Sequence, residues 1–232
     1  MPFDRLKSLH ITFSAENSIF RGDDEKLFPR FLSRIHSLED LRIFFPSSST
    51  FAVPERLSSV TLPNLKILAL IFTNFDGDRE GGVMKSFLQR HPTLEKVCFR
   101  TPGQLSMVQV THEAVPRLRA LCVDDVADYY AQTDGALLIA DRKFPKSILH
   151  VRLLLWNSLD RSSFLSVIID IGVNLRCLEF FWDRADFRHS ISQFRRILTA
   201  QALPNLREFG LITHSHFNPW REWLDQHDLV RT

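Results

Sequence analysis

The chain has 232 residues, 44% hydrophobic and 24% charged, with a formal net charge of +2 at neutral pH. Those proportions exclude a disordered chain, which is poor in apolar residues, and the small charge, with basic residues interspersed among acidic ones, argues against a nucleic-acid or anionic-membrane binder, which needs a clustered basic face. The longest apolar run, around Val167 to Ile171, is broken by Asp170 and too short to cross a bilayer, and the N-terminus MPFDRLKS is no secretory signal. A cytoplasmic or nuclear location is therefore expected, and the three cysteines fit free thiols in a reducing compartment.

Along the chain, one phrase recurs eight times: an apolar residue, two variable ones, an apolar residue, one variable, an apolar residue. It reads Leu6-Leu9-Ile11, Leu38-Leu41-Ile43, Leu65-Leu68-Leu70, Leu94-Val97-Phe99, Leu118-Leu121-Val123, Ile148-Val151-Leu153, Leu175-Leu178-Phe180 and Leu206-Phe209-Leu211. Its alternation is the period of a strand with one buried face. In several copies the alternation continues to Phe13, Phe45, Phe72, Leu155 and Trp182, which predicts longer strands there.

The segments between the phrases carry helical spacing. After the first phrase, Leu27, Phe28, Phe31, Leu32 and Ile35 follow the acidic run Asp23-Asp24-Glu25, which predicts a helix with Pro29 inside about its first turn. After the third, Gly81 and Gly82 precede a second helix carrying Val83, Met84, Phe87 and Leu88, closed by Pro92. The fourth connection opens on Thr101-Pro102-Gly103 and reads as a tight turn or a single helical turn. The fifth reads as a loop over 124–130 with a candidate short helix at 136–140. Further helices are predicted at 164–171, closed by Gly172, and around Ile191, Phe194, Ile197 and Leu198, closed by Pro204. Trp220, Trp223 and Leu224 predict a C-terminal capping helix within 219–229.

The first positions of successive phrases are 32, 27, 29, 24, 30, 27 and 31 residues apart, in or just beyond the length class of leucine-rich repeats. The expected fold is α/β: an irregular leucine-rich repeat solenoid of about eight repeats, with a curved parallel sheet on the concave side and helices and loops on the convex side. Residues 1–232 are expected to form one such domain, because a repeat array grows by stacking and needs no second core. With the first strand beginning at about Leu6, the N-terminal cap is expected to be missing from this chain.

Four phrases are introduced by a proline-bearing lead: LPNLKILAL at 62–70, HPTLEKVCF at 91–99, VPRLRALCV at 115–123 and LPNLREFGL at 203–211. This pattern resembles the irregular leucine-rich repeat region of fungal F-box proteins. The resemblance implies the substrate-binding arm of a cullin-type ubiquitin ligase, with adaptor docking assigned to an F-box that no segment here resembles. It departs from regular leucine-rich repeats as well, for the asparagine expected three residues past each phrase is replaced by Ser14, Pro46, Thr73, Pro102, Val126, Trp156, Asp183 and His214. Without that ladder the turns are expected to be built one by one.

Aligning the phrases turns the outward positions into columns. The third positions read Ser8, Asp40, Ile67, Lys96, Ala120, His150, Cys177, Glu208, and the fifth read His10, Arg42, Ala69, Cys98, Cys122, Arg152, Glu179, Gly210. The seventh read Thr12, Phe44, Ile71, Arg100, Asp124, Leu154, Phe181, Ile212. Leu154, Phe181 and Ile212 then form an apolar strip edged by Arg152 and Glu179, a predicted protein-binding patch, and Phe44, Ile71 and Arg42 form a second. Cys98 and Cys122 share a column and are expected to be free thiols.

No catalytic constellation is recognisable: none of the nine histidines has the spacing to a serine, cysteine or aspartate that a mechanism requires. His214 and His216 read as a polar turn rather than a metal pair with His189 or Asp183, and the acidic stretch at 124–128 lacks the ligand alternation of a calcium loop. The expectation is a non-enzymatic protein-recognition module without metal or cofactor, and without nucleic-acid or membrane partners. The alternatives are a truncated or decayed repeat protein with no independent function, or an enzyme with a histidine-based site.

Overall fold

The structure, a computed structural model, describes residues 3, 5–12, 24–44, 57–71, 77–101, 110–125, 146–155, 172–181 and 203–212. Each phrase forms a strand that begins two residues after its first apolar position: β1 Ser8–Thr12, β2 Asp40–Phe44, β3 Ile67–Ile71, β4 Lys96–Thr101, β5 Ala120–Asp125, β6 His150–Leu155, β7 Cys177–Phe181 and β8 Glu208–Ile212. They make one eight-stranded sheet in sequential order, every pair parallel, so the chain winds as a solenoid. The three columns read from the sequence are the register of this sheet from end to end; the third, for example, pairs Ser8 with Asp40, Asp40 with Ile67, and so on to Cys177 with Glu208. Slipping any strand by one residue would turn its apolar positions outward, which is why the phrase determines pairing so strictly.

The phrase residues are the core. Leu38, Leu65, Leu94, Leu118, Ile148 and Leu175 are at most 1% exposed, and Leu41, Leu68, Val97, Leu121, Val151 and Leu178 stack behind them. At about 1.5–3 kcal/mol for each fully buried aliphatic side chain, this double row is the main source of cohesion. At the two ends of the sheet, Leu6, Leu9 and Ile11 and Leu206 and Phe209 are only partly buried against the same cluster.

Two α-helices lie among the described residues, α1 Asp24–Ser33 and α2 Gly77–Gln89. Helix α1 buries Phe28 and Leu32, with Ile35 just beyond its end, while Leu27 is 54% exposed and falls off the apolar face to which its spacing assigned it. The helix starts at Asp24, so the acidic residues form its first turn, and Pro29 stands sixth, deeper than the sequence reading placed it. That proline has no N–H for the carbonyl of Glu25; packing of Phe28 and Leu32 overrides the local cost. Similarly, α2 runs through Gly81 and Gly82 instead of starting after them, carried by buried Met84, Phe87 and Leu88.

The turns leading into the strands are alike. Leu6, Leu38, Leu65, Leu94, Leu118, Leu175 and Leu206 each donate an amide hydrogen bond to the carbonyl three residues earlier, and in the leads of Leu65, Leu94, Leu118 and Leu206 a proline fills the second position of that turn. From here the chain bonds back one repeat: Glu39 and Asp40 both donate to the Lys7 carbonyl, and the pattern is repeated at every junction to Arg207 and Glu208 on Arg176. The residue just ahead of the first apolar position adds a side-chain rung in six repeats. Ser37 reaches Leu6 O at 2.9 Å, Asn64 His36 O at 2.9 Å, Thr93 Leu65 O at 2.8 Å, Ser147 Leu118 O at 2.7 Å, Asn174 Lys146 O at 2.8 Å and Asn205 Val173 O at 2.6 Å. A polar ladder therefore exists, before the strands rather than after them. Ser147→Ala, which removes a half-buried rung, is expected to lower stability by about 1 kcal/mol in urea denaturation, and the exposed Asn205→Ala by less.

Strand β6 extends to Leu155 as its alternation predicts. Strand β5 runs on to Asp125, so Asp124 and Asp125, expected to open the loop over 124–130, pair in the sheet instead. The predicted extensions at Phe13, Phe45, Phe72 and Trp182, the rest of that loop, the short helix at 136–140, the helices at 164–171 and 191–198, the cap at 219–229, and His189, His214 and His216 lie outside the described residues. No helix among the described residues is long and apolar enough to cross a membrane.

Candidate functional site

The sheet face opposite the main core has its own organisation. Ala69, Ile71, Cys98, Ala120 and Cys122 form a second buried apolar cluster on β3 to β5, with Phe44 and Ile67 packed against it. Cys98 and Cys122 are register partners, buried and unbridged. Toward each end of the sheet this apolar centre gives way to a charged cluster.

On β1 and β2, Arg42 wraps Asp40: Nε donates to Oδ1 at 3.0 Å and Nη2 to Oδ2 at 2.8 Å. His10 stands 3.7 Å from the same carboxylate, with the Ser8 hydroxyl 3.2 Å from its Nε2. Beside this group an open cleft of about 100 Å³ is lined by His10, Thr12, Arg42, Phe44 and Ile71, together with Ile11 and Ile43. The second patch expected from the sequence, Arg42, Phe44 and Ile71, thus lines one cleft.

On β6 and β7 the arrangement is denser. Arg152 grips Glu179 with two bonds, Nη2 to Oε1 at 2.7 Å and Nε to Oε2 at 3.0 Å, and His150 Nε2 donates to Oε2 at 2.7 Å. His150 and Arg152 are 3% and 7% exposed, so this is an ion pair within the fold. Burial by itself would raise the Glu179 pKa; the hydrogen bonds from His150 and Arg152, and their charges, outweigh it and hold the carboxyl at about 2. Gly210, its register partner on β8, makes room: a Cβ there would stand 3.1 Å from Glu179 Cγ. Cys177 lies next to His150 in the third column, and its thiol is pushed up to about 12 by burial and by the Glu179 and Glu208 carboxylates, Glu208 also hydrogen-bonding to it.

Comparison of the chain with family models, with curated proteins and with solved structures returned no match. Of the residues singled out in the sequence, Arg152 and Glu179 are joined to each other, where the columns had set them as an edge toward a partner. Leu154 pairs with Phe181 and Phe181 with Ile212 through the backbone, and their side chains lie outside the described residues. Sequence reasoning passed over His150 and Cys177, although the run His150, Cys177, Glu208 stood in the third column.

Proposed function

We propose that the chain is a non-enzymatic recognition module, a leucine-rich repeat arc that receives a protein partner on the sheet face opposite its main core. Its model is the substrate-binding arm of an F-box subunit of a cullin-type ubiquitin ligase, carried by the proline-bearing leads and the phrase spacing. The observation that favours protein over metabolite is the cleft beside Phe44 and Ile71: about 100 Å³ holds one aliphatic side chain, whereas small-molecule sites run to roughly 300–1,000 Å³. Arg42, oriented by Asp40, supplies a fixed polar contact at its rim. The strip Leu154, Phe181 and Ile212 offers a second anchor at the far end of the same face, so one extended partner segment could cross both.

The test is affinity purification of the full chain with identification of bound proteins, repeated with Phe44→Asp and with the double variant Leu154→Asp, Phe181→Asp. Each is expected to weaken capture of the specific partner by roughly tenfold or more, the ordinary effect of losing a central apolar anchor. Undiminished capture by folded variants would remove this face as the site. Recovery of ligase adaptor subunits decides the F-box reading separately.

A further inference from the structure

His150, Cys177 and Glu208 occupy the third column on three successive strands, and Glu179 stands beside them in the fifth. His150 Nε2, Cys177 Sγ and a Glu179 carboxylate oxygen all lie within 4.8 Å of one another, with the histidine and cysteine buried. Imidazole, thiolate and carboxylate are the donors that zinc takes, and three of them converging from a rigid sheet, with a second carboxylate, Glu208, adjacent as a fourth donor, is a built arrangement. We propose that His150, Cys177 and Glu179 bind a zinc ion, with Glu208 within reach as a fourth ligand.

Between His150 and Glu179 the geometry needs a small movement only. His150 Nε2 and Glu179 Oε2 are 2.7 Å apart with one proton between them. Tetrahedral zinc, with bonds of about 2.0–2.2 Å to nitrogen and oxygen, separates two such ligands by about 3.4 Å, so the ion enters where that proton sits after a shift of well under 1 Å. Arg152 bonds both oxygens of the same carboxylate, Nη2 to Oε1 and Nε to Oε2, and anchors Glu179 as a neighbour in the next shell would. Glu179 and the exposed Glu208 open the group to solvent, giving the ion a way in. The proton balance is simple: the Cys177 thiol proton is released to solvent as the thiolate binds, and the neutral imidazole shifts its proton from Nε2 to Nδ1 so that the Nε2 lone pair meets the metal. No electron is transferred. Because burial and the neighbouring carboxylates hold that thiol protonated, a proton is released on binding and occupancy should rise with pH.

Cobalt(II) titration of the full chain tests this directly. The wild type is expected to develop the near-ultraviolet sulfur-to-cobalt charge-transfer band, bleached by added zinc. The band should vanish in Cys177→Ser, persist in the double variant Cys98→Ser, Cys122→Ser, and need at least tenfold more cobalt in His150→Gln. Zinc X-ray absorption on the wild type should show one sulfur among nitrogen and oxygen neighbours, which keeps the test decisive if a variant does not fold. No band at millimolar cobalt, a band that survives Cys177→Ser, or two sulfurs around zinc would overturn the proposal.

Discussion

Glu179→Ala is expected to destabilise the chain by about 3–5 kcal/mol at neutral pH, the usual result of breaking a buried ion pair by removing one partner. The reason lies in what stays behind. Arg152 and His150 each direct a donor at Glu179 from positions 7% and 3% exposed, and without the carboxylate both remain desolvated. Glu39 is the natural comparison, since it also bonds two cations, Lys7 at 3.0 Å and Lys66 at 2.7 Å, but those lysine side chains are 75% and 50% exposed. Exposed pairs contribute about 0–1 kcal/mol, so Glu39→Ala should be nearly silent in the same urea denaturation. The acid dependence follows from the sign of the shift. The folded carboxyl, at about 2, lies below its ordinary 4.5, so the unfolded chain binds more protons between these values. Its contribution is complete above pH 4.5 and fades as pH falls toward 2, amounting to roughly 3 kcal/mol. Glu179→Gln should flatten the denaturation midpoint across that window; an equally steep decline in the variant would place the acid sensitivity elsewhere.

The phrase made the sheet legible because period-two alternation leaves one face per strand for burial, and because sequential crossovers leave one order for parallel strands. From Leu6-Leu9-Ile11 to Leu206-Phe209-Leu211, knowing one register meant knowing all seven. Helix ends were harder. Nothing local says that α1 tolerates Pro29 in its second turn or that α2 runs through Gly81 and Gly82; the packing of Phe28, Leu32, Met84 and Phe87 against the strands decides it. The polar ladder escaped notice because it was sought after the strands, although Ser37, Asn64, Thr93, Ser147, Asn174 and Asn205 stand in one alignment column.

At the candidate site, the columns set Arg152 beside Glu179 but left open whether two facing charges bond each other or reach out to a partner. That depends on burial, a property of the whole face. Here the absence of a side chain at Gly210, where a Cβ would stand 3.1 Å from Glu179 Cγ, leaves room for the paired carboxylate. Similarly, His150 and Cys177 pass for scatter in a column until their donor atoms are seen to converge.

A comparably large effect is expected at His91, a fully buried residue in the lead to β4. Its Nδ1–H donates to the Phe87 carbonyl at 2.6 Å in the last turn of α2, and its Nε2 accepts the Leu62 amide at 2.9 Å from the preceding lead, while the ring lies 4.0 Å from that of Phe87. Two backbone partners of opposite polarity require the neutral ring with its proton on Nδ1, since a protonated Nε2 would meet the Leu62 N–H donor to donor. Burial chiefly, with the charge of Arg90 adding to it against the Phe87 bond, lowers the pKa to about 4. With the unfolded value near 6.5, the unfolded chain takes up the proton first as pH falls. His91 therefore stabilises fully above about 6.5, and its contribution is lost as pH drops to 4, by roughly 3 kcal/mol. His91→Ala, which leaves a cavity and an unsatisfied Leu62 amide, is expected to lose about 3–5 kcal/mol at pH 7. His91→Gln keeps an acceptor that does not titrate, so it should be less stable than the wild type at pH 7 yet lose markedly less between pH 6.5 and 4. Parallel declines for the two proteins over that interval would show that the ring is not the group taking up the proton.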